Sequence, residues 1–249
     1  SGNYNDPNAG SNKTVTVNGL ALSGSSASNY QLLSTTASYT DGVITPATLT
    51  VSNAAVNAKV YNAATNATLD LSSATLTGVL GSDVGTLNSA NYSAYFASVN
   101  VGSSLPVTVI NLGLAGSSSS NYTLTQPSGL TGSITPAPLS ADFTGTIGKV
   151  YDKTTTATPA TYNFALTGLY GSDVVNTYYS GSATYGTVNA GTNITVNVNG
   201  LYIAGSSAST YQLMNTALNG HVGTITPAGL ASAGLREHSK TKNGSDCAG

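Results

Sequence analysis

Asp83 and Asp173 each sit in the string Gly-Ser-Asp-Val, and Lys59 and Lys149 each open Lys-Val-Tyr. A lysine and an aspartate that recur together could form an intramolecular isopeptide crosslink, a salt bridge, or a turn capped by the carboxylate. The crosslink needs a further carboxylate beside the pair to catalyse the condensation. Asp142 and Asp152 are candidates near the later pair, but near the earlier one only Asp70 is available, at no matching position. The spacing therefore predicts a salt bridge or a turn cap. The same scarcity argues against calcium, whose oxygen cage wants several carboxylates. Of the two histidines, neither His221 nor His238 has an Asp and a Ser in a recognisable nucleophile elbow. No catalytic residue, metal ligand or cofactor set is expected, and the chain is read as not an enzyme.

Tyrosine is the side chain with most to offer a ligand, since its face stacks on a sugar while its hydroxyl bonds to it. Tyr92 and Tyr95, with Tyr178, Tyr179 and Tyr185, are the candidate glycan contacts, and a core role competes with that reading. Asn-x-Ser/Thr sequons begin at Asn12, Asn66, Asn91, Asn121, Asn193 and Asn243, but so much Asn, Ser and Thr produces such a number by chance. Thr-x-Thr, as at Thr14, lacks the ranked array of an ice-binding face.

These residues recur because the chain does. Gly19–Leu32, Asn111–Leu124 and Gly200–Leu213 are three versions of one string, each leading to Ile-Thr-Pro-Ala at Ile44, Ile134 and Ile225. The period is about 90 residues, which marks a repeat architecture. The phasing gives the second half of a unit at 1–46, whole units at 47–136 and 137–229, and a charged tail at 230–249. A chain that opens in mid-unit is expected to be a fragment, with its first half-unit completed by other residues.

Val15 and Val17, then Leu20 and Leu22, alternate with small polar residues, and Val107 to Leu114 and Val196 to Ile203 repeat the arrangement. Period-2 alternation is the signature of a half-buried strand. Its phase switches at Gly19, Asn111 and Gly200, where a bulge or left-handed residue is expected. No window has sustained helical periodicity; a single turn within Ser25–Tyr30 and its equivalents is the best candidate. Tyr30, Tyr122 and Tyr211 each begin a Tyr-x-Leu strand, as a tyrosine corner or a half-buried ring on a sheet face. Pro46, Pro136 and Pro227 mark the unit boundaries, where proline ends strand pairing. The expectation is an all-β chain of tandem Ig-like β-sandwich repeats, or β-grasp-like units, forming an elongated rod.

Lys149-Val-Tyr-Asp, Leu169-Tyr-Gly-Ser-Asp-Val, Val188-Asn-Ala-Gly-Thr, Val198-Asn-Gly-Leu and the closing Ile-Thr-Pro-Ala resemble the YDG-type repeat domain. Asn62 stands where its signature Asp is expected, and Lys153 where its Gly is expected. The resemblance implies kinship with the MBG-type domains of large bacterial surface exoproteins, notably filamentous-haemagglutinin-like adhesins, and implies no catalytic role.

Charged residues make up 6% of the chain and the net charge is −2, so it lacks the basic footprint of nucleic-acid binding. No apolar run is long enough to cross a membrane as a helix. A lone cysteine, Cys247, leaves no internal disulfide. The expected function is that of a structural stalk of a secreted bacterial surface adhesin, with a role in cell adhesion and biofilm. Its expected partners are other copies or neighbouring repeats, with glycan or host-surface binding and filament assembly as alternatives.

Overall fold

The computed structural model describes residues 1–230; the tail carrying His238, Asn243 and Cys247 lies outside the described residues. The described chain is all-β, with half the chain in strands and helical structure limited to short 3₁₀ turns. Three of these turns, Ala27–Asn29, Ser119–Asn121 and Ala208–Thr210, fall where the serine clusters predict them. A fourth, Thr161–Asn163, carries no such cluster. No helix among the described residues is long and apolar enough to cross a membrane.

Compactness divides the chain differently from the repeat. One compact unit holds Ser1–Pro138 together with Gly168–Val174 and Ser206–Gln212; the other holds Leu139–Thr167, Val175–Gly205 and the described residues from Leu213. Two loops of the third copy thus belong to the same unit as the first and second.

In the first unit, the central sheet of the second copy runs Lys59–Val60, Thr131–Thr135, Gly102–Ile110, Ser93–Phe96, Asn66–Ala67. Lys59–Val60 joins it in parallel, with Lys59 opposite Ile134. A smaller sheet sets Tyr122–Leu124 parallel to Ala47–Ser52, with Tyr122 opposite Ala47. Leu49, Phe96, Val107, Val109, Leu112 and Ile134 are buried in this unit. The inward row crosses the turn as expected: Asn111 adopts φ 59°, so that Val109 and Leu112 both face inward. Gly19 repeats this conformation in the unit. The register shift itself lies upstream, between Gly102 and Leu105, at left-handed Ser104.

The first copy contributes only Gly2–Tyr4, Gly10–Asn18 and Thr36–Ile44, in that order. Val15 and Val17, which match buried Val107 and Val109, stay half-buried, and Leu20 and Leu22 are exposed. Tyr30 departs from expectation: it belongs to no strand and is 74% exposed, against 7% for Tyr122. Tyr122 is held by the parallel strand at Ala47, and nothing among the described residues offers Tyr30 that partner.

In the second unit the sheet runs Ile147–Val150, Ala217–Thr226, Gly191–Asn199, Ala183–Tyr185, again with the first pair parallel. Its core gathers Ile147, Phe164, Tyr185, Ile194, Val196, Val198, Leu201 and Ile225. Gly200 at φ 71° and Asn193 at φ 55° take the places of the turn and the bulge. Pro46, Pro136 and Pro227 each fall just past the end of a strand, as their missing N–H predicts.

Candidate functional site

Asp173 meets two tyrosines at a joint within the first unit. Gly168–Val174 forms a tight loop at Gly171, whose φ of 55° suits glycine. That loop presents Asp173, which accepts hydrogen bonds from the Tyr211 hydroxyl at 2.5 Å and the Tyr61 hydroxyl at 2.8 Å. The Tyr211 oxygen in turn accepts the Tyr170 backbone N–H at 2.8 Å. The rings pack edge to face, Tyr61 lying 5.4 Å from Tyr211 and 6.2 Å from Tyr170 between centroids. A cleft of about 490 Å³ opens beside them, lined by Tyr61, Asn100, Asp173, Ser207 and Thr210.

The loop Gly168–Val174 is therefore held by a phenol 41 positions onward. Asp83 and Tyr122 reproduce the arrangement one period earlier: the Tyr122 hydroxyl donates to Asp83 at 2.7 Å and accepts the Leu80 N–H at 2.9 Å. A tyrosine corner caps backbone close by in sequence; these tyrosines cap a loop 42 and 41 positions upstream. The side chain of Asn121 extends the earlier joint by accepting the Ala9 N–H and donating to Asn8.

The electrostatics suit locking rather than proton transfer. Hydrogen bonding from Tyr211 holds the Asp173 carboxyl below its usual range, against an opposing contribution from burial. Burial, then the bond to Asp173, pushes Tyr211 up to about 12, and burial raises Tyr61 as well. A general acid or base works best with a pKa near the operating pH; here the donor and the acceptor are both moved away from neutrality. What the arrangement does is fix geometry.

The lysines do not meet these aspartates. Lys149 pairs with Asp152 at 2.8 Å, donates to the Thr154 carbonyl at 2.7 Å and lies 5.3 Å over the Tyr185 ring. Its proximity brings Asp152 down to about 2. Where Asn62 replaces the acid, Lys59 instead donates to the Ala64 and Asn66 carbonyls. The salt-bridge expectation thus fails for Lys59 with Asp83 and for Lys149 with Asp173. The short Lys-Val-Tyr strand turns each lysine back into its own loop. The loop also explains the family glycine: Ala63 has φ 57° and Lys153 φ 65°, a conformation glycine adopts without strain.

The five candidate glycan tyrosines do not form one cluster. Tyr185 is 3% exposed and donates its hydroxyl to the Ile147 carbonyl at 2.9 Å, so it presents no face to solvent. Tyr179 packs against Phe164, and Tyr92 accepts the Leu69 N–H. Tyr95 is exposed. Tyr178 stacks across its strand pair on Tyr202, centroids 5.6 Å apart, both partly exposed. Tyr202 was not among the sequence candidates, and neither were Tyr61 and Tyr170. Tyr61 recurs as Tyr151 in the Lys-Val-Tyr string, which was the available signal; Tyr170 and Tyr202 do not recur, Leu80 and Gly113 standing in their places. Among the described residues no group of three or more His, Cys, Asp or Glu is placed to hold a metal.

Repeated β-units whose joints are pinned by tyrosine and aspartate define a tandem β-repeat protein, and the joint is its distinguishing site. The YDG domain matches residues 1–38, 45–129 and 135–218, so the chain belongs to the YDG domain family. No curated protein and no solved structure matches it.

Proposed function

We propose that the chain is a stalk segment of a secreted bacterial surface adhesin of the filamentous-haemagglutinin-like kind, its Ig-like repeats forming a rod that holds a distal binding region away from the cell. The observation that carries this reading is the joint at Asp173, where a tyrosine of one copy and a tyrosine of the next share one carboxylate. A joint built on buried phenols resists bending more than a bare linker does. Low charge lessens self-repulsion along such a rod. Small-angle scattering tests the proposal: a pair-distance distribution with a long tail is expected, and a symmetric, compact one overturns it.

A second reading, glycan or host-surface binding by the units, is favoured by the partly exposed Tyr178–Tyr202 stack. Glycan-array signal that Tyr178→Ala removes would support it; no signal at all would reject it. Self-assembly by strand exchange, the third reading, rests on the half-buried strands of the first copy.

A further inference from the structure

We propose that the open edge of Thr36–Ile44, together with the Asp83 carboxylate, is an acceptor site for an extended Lys-Val-Tyr segment from another YDG unit, added as a parallel strand with its tyrosine hydroxyl on Asp83. The proposal deepens the stalk reading by naming the contact through which units join.

The chain contains the template for this contact twice. Lys59–Val60 lies parallel to Thr131–Thr135, and the Tyr61 N–H donates to the Thr135 carbonyl at 2.9 Å. Ile147–Val150 lies parallel to Ala217–Thr226 in the same register, and the Tyr151 N–H donates to the Thr226 carbonyl at 2.8 Å. In both, the threonine hydroxyl bonds back to the lysine carbonyl at 3.3 Å. Thr45 is the residue equivalent to Thr135 and Thr226, and Thr36–Ile44 is an edge strand. The effect on burial is direct: Ile134 and Ile225 are each 1% exposed under the added strand, whereas Ile44 is only half-buried.

The aspartate shows the same vacancy. Asp173 accepts from Tyr211 and also from Tyr61, the tyrosine that ends the added strand. Among the described residues the Asp83 side chain accepts from Tyr122 alone. A cavity lined by Ile44, Thr45, Asp83, Asn121 and Tyr122 occupies the place of the second tyrosine. Tyr4 marks the open edge in another way. It stands where Tyr185 stands, but its hydroxyl donates to Val43 of the edge strand, whereas that of Tyr185 reaches Ile147 of the added one. An unpaired edge beside an apolar residue and a carboxylate with spare acceptor capacity is what strand addition uses, backbone bonds giving affinity and one side chain fixing register.

The test uses the full chain and a labelled peptide with the sequence of residues 54–62, Ala-Ala-Val-Asn-Ala-Lys-Val-Tyr-Asn. Fluorescence anisotropy should show saturable binding. Replacing the peptide tyrosine by Phe should weaken it about tenfold, as loss of a hydrogen bond to a charged group does. Asp83→Asn in the chain should weaken the unmodified peptide similarly, and combining the two changes should add little. The peptide change leaves the fold of the chain untouched, so a folding defect in the Asp83 variant cannot mask the result. Absence of binding at millimolar peptide, or binding indifferent to the tyrosine hydroxyl, overturns the proposal. An elongated scattering profile beside that negative result would leave the stalk reading standing, so the two can fail separately.

Discussion

Tyr61 and Asp173 lie 112 positions apart and share a hydrogen bond of 2.8 Å. One belongs to the second copy of the repeat and the other to the third, and the bond is made inside a single compact unit. Its geometry ties a short strand near the start of one copy to a loop of the next.

Removing only the hydroxyl, by Tyr61→Phe, should destabilise the first unit by about 1.5–3 kcal/mol, the worth of a hydrogen bond to a charged group. Asp173→Asn tests the other end. Because both changes act on one bond, their combination should fall short of the sum. Urea unfolding followed by tyrosine fluorescence measures all three.

Tyr211 and Tyr30 occupy equivalent places but opposite environments, 5% against 74% exposed. Tyr211→Ala should cost about 3–5 kcal/mol, as truncating a buried aromatic does. Tyr30→Ala should leave the unfolding midpoint where it is. Equal effects at the two positions would contradict the burial difference.

Stability should fall at both ends of the pH scale. Tyr211 is raised from 10.0 to about 12, so its contribution is complete below pH 10 and is lost as pH rises from there through about 12. Asp173 is lowered from 3.8. Its contribution is complete well above that value and is lost as pH falls below it, through the depressed folded value. Ultraviolet titration of tyrosine should show a late-deprotonating class that includes Tyr61 and Tyr211, and Tyr211→Phe should reduce it by one group.

Glycine recurs at 42, 132 and 223, and the reason is an aromatic ring lying across it. A Cβ on Gly223 would stand 2.9 Å from the Tyr185 ring and 2.8 Å from the Ile194 carbonyl oxygen. Gly223→Ala should destabilise the second unit by about 1–3 kcal/mol. Thermal unfolding by circular dichroism tests this.

Ala63 offers the reverse experiment. At φ 57° it carries a side chain where glycine would be unstrained. Relief of that strain outweighs the extra freedom glycine gives the unfolded chain, so Ala63→Gly should stabilise by about 0.5–1 kcal/mol. A lowered urea midpoint would refute the strain.

The alternation around Val107 and Val196, the phase switch at Asn111 and Gly200, the serine-rich turns and the boundary prolines were all legible in the sequence. Each is fixed by a local rule: side chains alternate along a strand, few residues adopt φ above zero, and proline cannot donate to a ladder. The period was legible for the same reason, since a copied unit repeats its local rules. The partners were not. Lys59 and Asp83 recur together, yet the lysine turns into its own loop and the aspartate takes a tyrosine 39 positions onward. Tyr30 shares the string of Tyr122 and not its burial, because burial depends on a parallel strand supplied from elsewhere in the chain. A sequence records which groups a residue can bond; which of them it meets depends on how distant strands are brought side by side, and only the tertiary structure decides that.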